Sequence, residues 1–223
     1  MTEPMKSVRL GKNLMQGERS LAKVAEDLWG TTSDAPVAET VETETPATAE
    51  AAPQSMAFPP FDQLWKTADD TVDWTDALVN ETCPDGMTAP DLWAFFHEQA
   101  KAVLAGNTET YLKVMDKADP LGDLQPYAAH IDASAESSDA LSAAFEVLPR
   151  YVEDGEEAKQ KYLCGMSVRI ARDLMALLPV STVKVIATQG EETLMTTVFP
   201  RSEMQRVRFS FIDPVAFVQG LAE

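Results

Sequence analysis

Apolar residues recur along this chain with a helical period at first and a strand period near the end, and the changes of pattern mark out its elements. From Ser7 to Trp29, Leu10, Leu14, Leu21, Val24, Ala25 and Leu28 fall on one stripe, with Arg9, Lys12, Arg19 and Lys23 opposite. The spacing predicts a basic amphipathic helix within residues 1–30, weakened by Gly11 and Gly17, each costing about 1 kcal/mol against Ala. Residues 31–57 show neither period. Their Ala, Thr, Glu and Pro cannot bury enough surface to offset the entropy of ordering, so they predict a disordered acidic linker.

Residues 58–223 carry the pattern of a folded body. Phe58, Phe61, Leu64, Trp65, Trp74 and Leu78 read as core anchors on short helices, and Cys83-Pro84-Asp85-Gly86 reads as a turn. A helix then opens with Thr88 as its cap and Pro90 in the first turn, carries Leu92, Phe95, Phe96, Gln99 and Val103 on one face, and ends at Gly106. The next runs from Thr108 to Ala118. Leu124, Tyr127, Ala128 and Ile131 suggest another, and Leu141, Ala144, Phe145 and Leu148 one more, although the last segment also suits a strand. Leu163, Met166, Ile170, Leu174 and Leu177, widened by Cys164, Val168 and Met175, predict a deeply buried helix. Three β-rich runs follow, Thr182–Thr188, Leu194–Phe199 and Val207–Ile212, before Asp213-Pro214 caps a terminal helix. The fold class read from this order is α+β. A mostly helical acidic part, 58–149, precedes an α-β-β-β-α part, 150–223, with a small antiparallel meander.

Charge sharpens this division. Of the net −18, residues 1–30 contribute +1, residues 31–57 −5, residues 58–149 −13 and residues 150–223 −1. An acidic excess of this size opposes direct binding of nucleic-acid phosphate, which draws its affinity from Lys and Arg. There is no apolar run long enough for a transmembrane helix. Arg9, Lys12, Glu18 and Arg19 interrupt every stretch that could serve as a secretory signal, so the expected location is the cytoplasm, with Cys83 and Cys164 as reduced thiols.

Few residue clusters in the chain carry recognisable chemistry. Cys83, His97, His130 and Cys164 stand singly, without the close pairs of a zinc site. Asp69, Asp70, Asp73 and Asp76 do not fit a calcium loop, because Trp74 occupies the glycine position; Asp70, Asp73 and Asp76 would line one side of a helix. No nucleophile elbow or phosphate-cradling glycine motif is present, and no cofactor is expected. Arg169, Arg172, Arg201, Arg206 and Arg208 can form an anion- or nucleic-acid-binding face, pair with the acidic part, or lie on ordinary surface, and Arg206 and Arg208 would share one side of a strand.

The resulting expectation is a non-catalytic cytoplasmic interaction protein. Its tethered N-terminal helix would dock on a protein partner through Leu14, Leu21, Val24 and Leu28, with Arg9, Lys12, Arg19 and Lys23 steering it toward an acidic surface. Two alternatives stand beside it: an acidic mimic of nucleic acid that fills the basic cleft of a DNA- or RNA-binding protein, and an enzyme of a family that the motifs do not reveal.

Overall fold

The computed structural model describes residues 7–9, 61–83 and 89–221. The chain divides into one unit made of Met1–Gly11 and Pro59–Glu223 and another of Lys12–Phe58, which lies outside the described residues together with the predicted linker and most of the predicted N-terminal helix. The first unit mixes helix and sheet, in agreement with an α+β class.

Its sheet has strands β1 (Ser7–Arg9), β2 (Ala128–Ala135), β3 (Ala140–Val147), β4 (Thr182–Gln189) and β5 (Glu192–Pro200), side by side in chain order. Strands β2 and β3 form one antiparallel hairpin, β4 and β5 another, and the hairpins meet through a parallel β3–β4 pair in which Ala140 faces Thr182 and Glu146 faces Thr188. The long helix α4 (Glu156–Leu177) makes the crossover that a parallel pair requires. Helices α1 (Trp74–Val79), α2 (Pro90–Leu104) and α3 (Thr108–Ala118) precede the first hairpin, and α5 (Pro214–Gly220) follows the second.

The segments read as helices around Leu124–Ile131 and Leu141–Leu148 contribute instead to strands β2 and β3, after a 3-10 turn at Gly122–Tyr127. Their buried residues alternate: Ile131 and Ala133, then Leu141, Ala143, Phe145 and Val147. A two-residue period runs beneath the helical spacing of Leu141, Ala144, Phe145 and Leu148, and the available partner β4 decides between them. The third β-rich run, Val207–Ile212, is not a strand. A single helical turn at Arg201–Met204 directs the chain away from the sheet, residues 209–211 form a 3-10 turn, and Phe209 packs against Phe217 of α5. The C-terminal part is therefore α-β-β-α, and the sheet is mixed rather than a separate meander. Ser7–Arg9 pairs with β2, opposite Ser134, Ala133 and Asp132, so the expected N-terminal helix does not begin at Ser7. Val8 is a β-branched residue suited to an edge strand.

Other elements follow the sequence closely. Helix α3 begins after Asn107, whose side chain accepts from Thr110 N, and ends at Asp119 in the left-handed region. Pro90 starts α2, capped by Ala89 rather than Thr88, and its buried line is Trp93, Phe96, Ala100 and Val103. Leu64, Trp65 and Trp74 are core residues as expected, but Leu78 is exposed. Asp213 caps α5 with Pro214 at its first turn. The β4–β5 connection turns through Gly190, at φ 59°, a conformation that side chains resist.

Helix α4 is the centre of the body: 15 of its 22 residues are buried. It lies on β4 and β5, while the 3-10 turn Phe61–Lys66 crosses its other side. Gly165 permits that crossing, because a Cβ there would sit 2.9 Å from Trp65 Cε3. At its N-terminal end, Tyr162 stacks on Tyr151 at 4.7 Å, meets Phe61 and Phe145 edge-on, and donates its hydroxyl to Tyr127 O at 2.6 Å.

Candidate functional site

Burying a helix on almost every side forces two of its charged residues, Arg169 and Asp173, into the interior. Asp173 is wholly buried. An ionised carboxylate in such a place requires partners, and it has them: Arg169 Nε donates to Asp173 Oδ2 at 2.5 Å, and Asp69 N donates to Asp173 Oδ1 at 3.0 Å. The rest of the Arg169 guanidinium reaches Thr67 Oγ1 at 2.5 Å and Asp123 Oδ2 at 2.8 Å, with Asp69 Oδ1 3.8 Å away. Burial pushes the Asp173 carboxyl up to about 7 against the pull of Arg169. For Arg169 itself, burial pulls the pKa down, but the hydrogen bond and charge of Asp173, with Asp123 and Asp69, carry it upward overall. This cluster clamps residues 67–69 and Asp123 onto α4. Among the described residues no group of three or more His, Cys, Asp or Glu side chains is placed to hold a metal ion.

One turn along α4 and beyond its end lie two further half-buried guanidiniums in a different setting. Arg172 Nη1 donates to Trp65 O at 2.6 Å and Thr67 O at 2.9 Å, and the group lies 4.2 Å from the Phe209 ring centre. Arg201 donates from Nε to Val180 O at 2.6 Å and from Nη2 to Met175 O at 2.8 Å and Leu178 O at 2.6 Å, closing the C-terminal end of α4, where a cation is favoured. Both line a cavity of about 210 Å³ together with Thr71, Met175, Met204 and Gln205. Burial lowers the pKa of both.

No family model, curated protein or solved structure matches the chain.

Of the residues expected to bind a partner, Arg9 is placed on β1, opposite Asp132 in backbone register. Lys12, Leu14, Arg19, Leu21, Lys23, Val24 and Leu28 lie outside the described residues. The aspartates of the 69–76 segment do not line one helical side: Asp69 and Asp70 precede α1, and Asp73 caps it by accepting from Thr75 N and Asp76 N. His97 meets Ala77 O through Nδ1 at 2.7 Å, a packing role of the kind its neighbours imply. Neither cysteine is in a disulfide; Cys164 is buried, and burial pushes its thiol up to about 11. Arg206 pairs with Glu203 at 3.0 Å across a helical turn, so it and Arg208 are not neighbours on a strand. The sequence marked Arg169, Arg172 and Arg201 only as cations of the C-terminal part. Their position at the buried helix and just past the strand-ending Pro200 was the available signal.

Proposed function

We propose that this chain is a non-catalytic cytoplasmic protein-interaction protein, in which a basic amphipathic segment within residues 1–30 docks on a protein partner and the folded body is carried behind an acidic tether. Leu14, Leu21, Val24 and Leu28 supply its apolar contacts, and Lys12, Arg19 and Lys23 supply steering, with Arg9 on β1 of the body. The observation that carries this reading is that the arginines around the buried helix are engaged by the body's own groups while many of its carboxylates face outward. Arg169 is enclosed by carboxylates, Arg172 and Arg201 point donors at main-chain carbonyls, and Lys184 pairs with Glu136, whereas Lys101, Lys113, Lys117, Arg206 and Arg208 are exposed. Asp62, Asp69, Asp70, Asp73, Glu81 and Asp91 are exposed. A body with this outward charge stays dispersed and repels polyanions, while the basic segment favours an acidic protein surface.

The test is affinity capture from nuclease-treated host lysate with the full chain and with the double variant Leu21→Asp, Leu28→Asp. The expected result is a partner lost in the variant with an unchanged thermal melt. Equal capture by both overturns the reading. The same outward carboxylates favour a second reading, in which the acidic body fills the basic cleft of a nucleic-acid-binding protein. Under that reading the variant retains its partner, and capture collapses as salt rises.

A further inference from the structure

The cavity between Arg172 and Arg201 has the chemistry of a receptor for a small anion. The chain holds 36 acidic residues against 18 Lys and Arg, yet among the described residues neither guanidinium has a carboxylate within ion-pair distance. Arg169, one helical turn away, shows the contrasting case, with two carboxylates in contact and a third nearby. Main-chain carbonyls carry no formal charge, and five N–H groups on each guanidinium exceed what they accept. The Nε and Nη2 protons of Arg172 and the Nη1 protons of Arg201 are left over after the bonds to Trp65, Thr67, Val180, Met175 and Leu178. None of these nitrogens is among the fully enclosed, unpartnered polar atoms of the described residues, and both arginines are half-buried.

The walls narrow the class of anion. Met175, Met204, Ala68 and Ala176 supply apolar surface, and the volume of about 210 Å³ suits a few heavy atoms rather than a drug-sized ligand. Asp69 also borders the space and opposes a doubly charged group such as phosphate. A guanidinium presents two parallel N–H groups that match one carboxylate. We propose that this cavity binds a small aliphatic monocarboxylate, its carboxylate on Arg172 and Arg201 and its alkyl chain against Met175 and Met204.

The test is titration of the full chain with hexanoate, followed by NMR shifts and calorimetry, with hexanol and inorganic phosphate as comparison probes. Hexanoate is expected to bind saturably, and hexanol and phosphate far more weakly. Arg172→Met should weaken hexanoate by about tenfold or more, the worth of a charge-assisted hydrogen bond. Because Arg172 also ties down Trp65 and Thr67, a gentler variant is paired with it. Thr71 is an exposed residue on the cavity wall, and Thr71→Glu would place a competing carboxylate there whereas Thr71→Gln would not. Loss of binding in Thr71→Glu with retention in Thr71→Gln supports the assignment. Equal affinity for hexanol, unchanged affinity in Thr71→Glu, or no saturable binding of hexanoate overturns it.

Discussion

The two hairpins of the sheet hold equivalent places on either side of the parallel pair, yet they are built from different residues. Strands β4 and β5, TVKVIATQ and ETLMTTVFP, are rich in β-branched side chains that favour extended backbone. Strands β2 and β3, AAHIDASA and ALSAAFEV, are mostly Ala, Ser and Asp, which do not. Both nevertheless bury alternate residues on the face toward the core, and Phe145 and Phe199 are each almost fully buried there. The second hairpin is specified locally; the first is specified by what it meets. Small residues let the first hairpin lie close to its neighbours, and its register is set by β4 and by Tyr111, whose hydroxyl donates to Ser138 O at 3.0 Å in the connecting turn.

The largest expected effect strikes the support of both hairpins at once. Arg169→Met removes the cation of Asp173 and the shared donor of Thr67 and Asp123, and should cost about 3–5 kcal/mol in urea unfolding above pH 7, and less at lower pH where Asp173 takes up a proton. Adding Asp173→Leu should recover much of that loss, since an apolar pair of similar volume leaves no buried charge. In the native protein the Asp173 pKa of about 7 lies above its ordinary 3.8. Between those values the folded state keeps a proton that the unfolded chain has released. The contribution of this group to stability therefore falls as pH rises from about 4 to about 7, and Asp173→Asn should flatten that slope.

The next pair tests the comparison directly. Phe145→Ala in β3 and Phe199→Ala in β5 should each cost about 3–5 kcal/mol, because core burial rather than strand propensity sets the loss. A much smaller cost at Phe145 would show that the first hairpin tolerates local disorder. Gly165→Ala drives a methyl group toward Trp65 and should cost about 1–3 kcal/mol, unless the 3-10 turn shifts outward. The smallest effect concerns propensity itself. Ser142 sits mid-strand in β3 on the face opposite the buried residues, so Ser142→Val should stabilise by up to about 1 kcal/mol in the same assay. Thr196→Val on edge strand β5 should change stability by less than about 0.5 kcal/mol.

The same contrast explains which parts of the fold were legible in the sequence. Helix α3, the buried stripe of α4, the β4–β5 hairpin and the Asp213-Pro214 start of α5 carry their own caps, periods or turns, and local chemistry suffices for them. The first hairpin carries two competing periods in ALSAAFEV, and only a distant partner strand chooses. Val207–Ile212 alternates as a strand does, yet lies elsewhere because the chain leaves the sheet at Arg201, where its side chain closes the end of α4. At the candidate site, the residue types were visible but their convergence was not. Asp69, Asp123 and Asp173 are far apart in sequence, and Arg172 and Arg201 share a cavity only because α4 and the end of β5 are packed together.

The parallel β3–β4 pair imposes an order on synthesis. As the chain leaves the ribosome, β3 is complete while its central partner is still unmade, and the whole of α4 must follow before Thr182 can reach Ala140. Until then an Ala- and Ser-rich strand waits with one edge bare and its apolar side chains uncovered. That delay makes the parallel pair, with its long intervening helix, the non-local step that sets the pace at which the sheet can close.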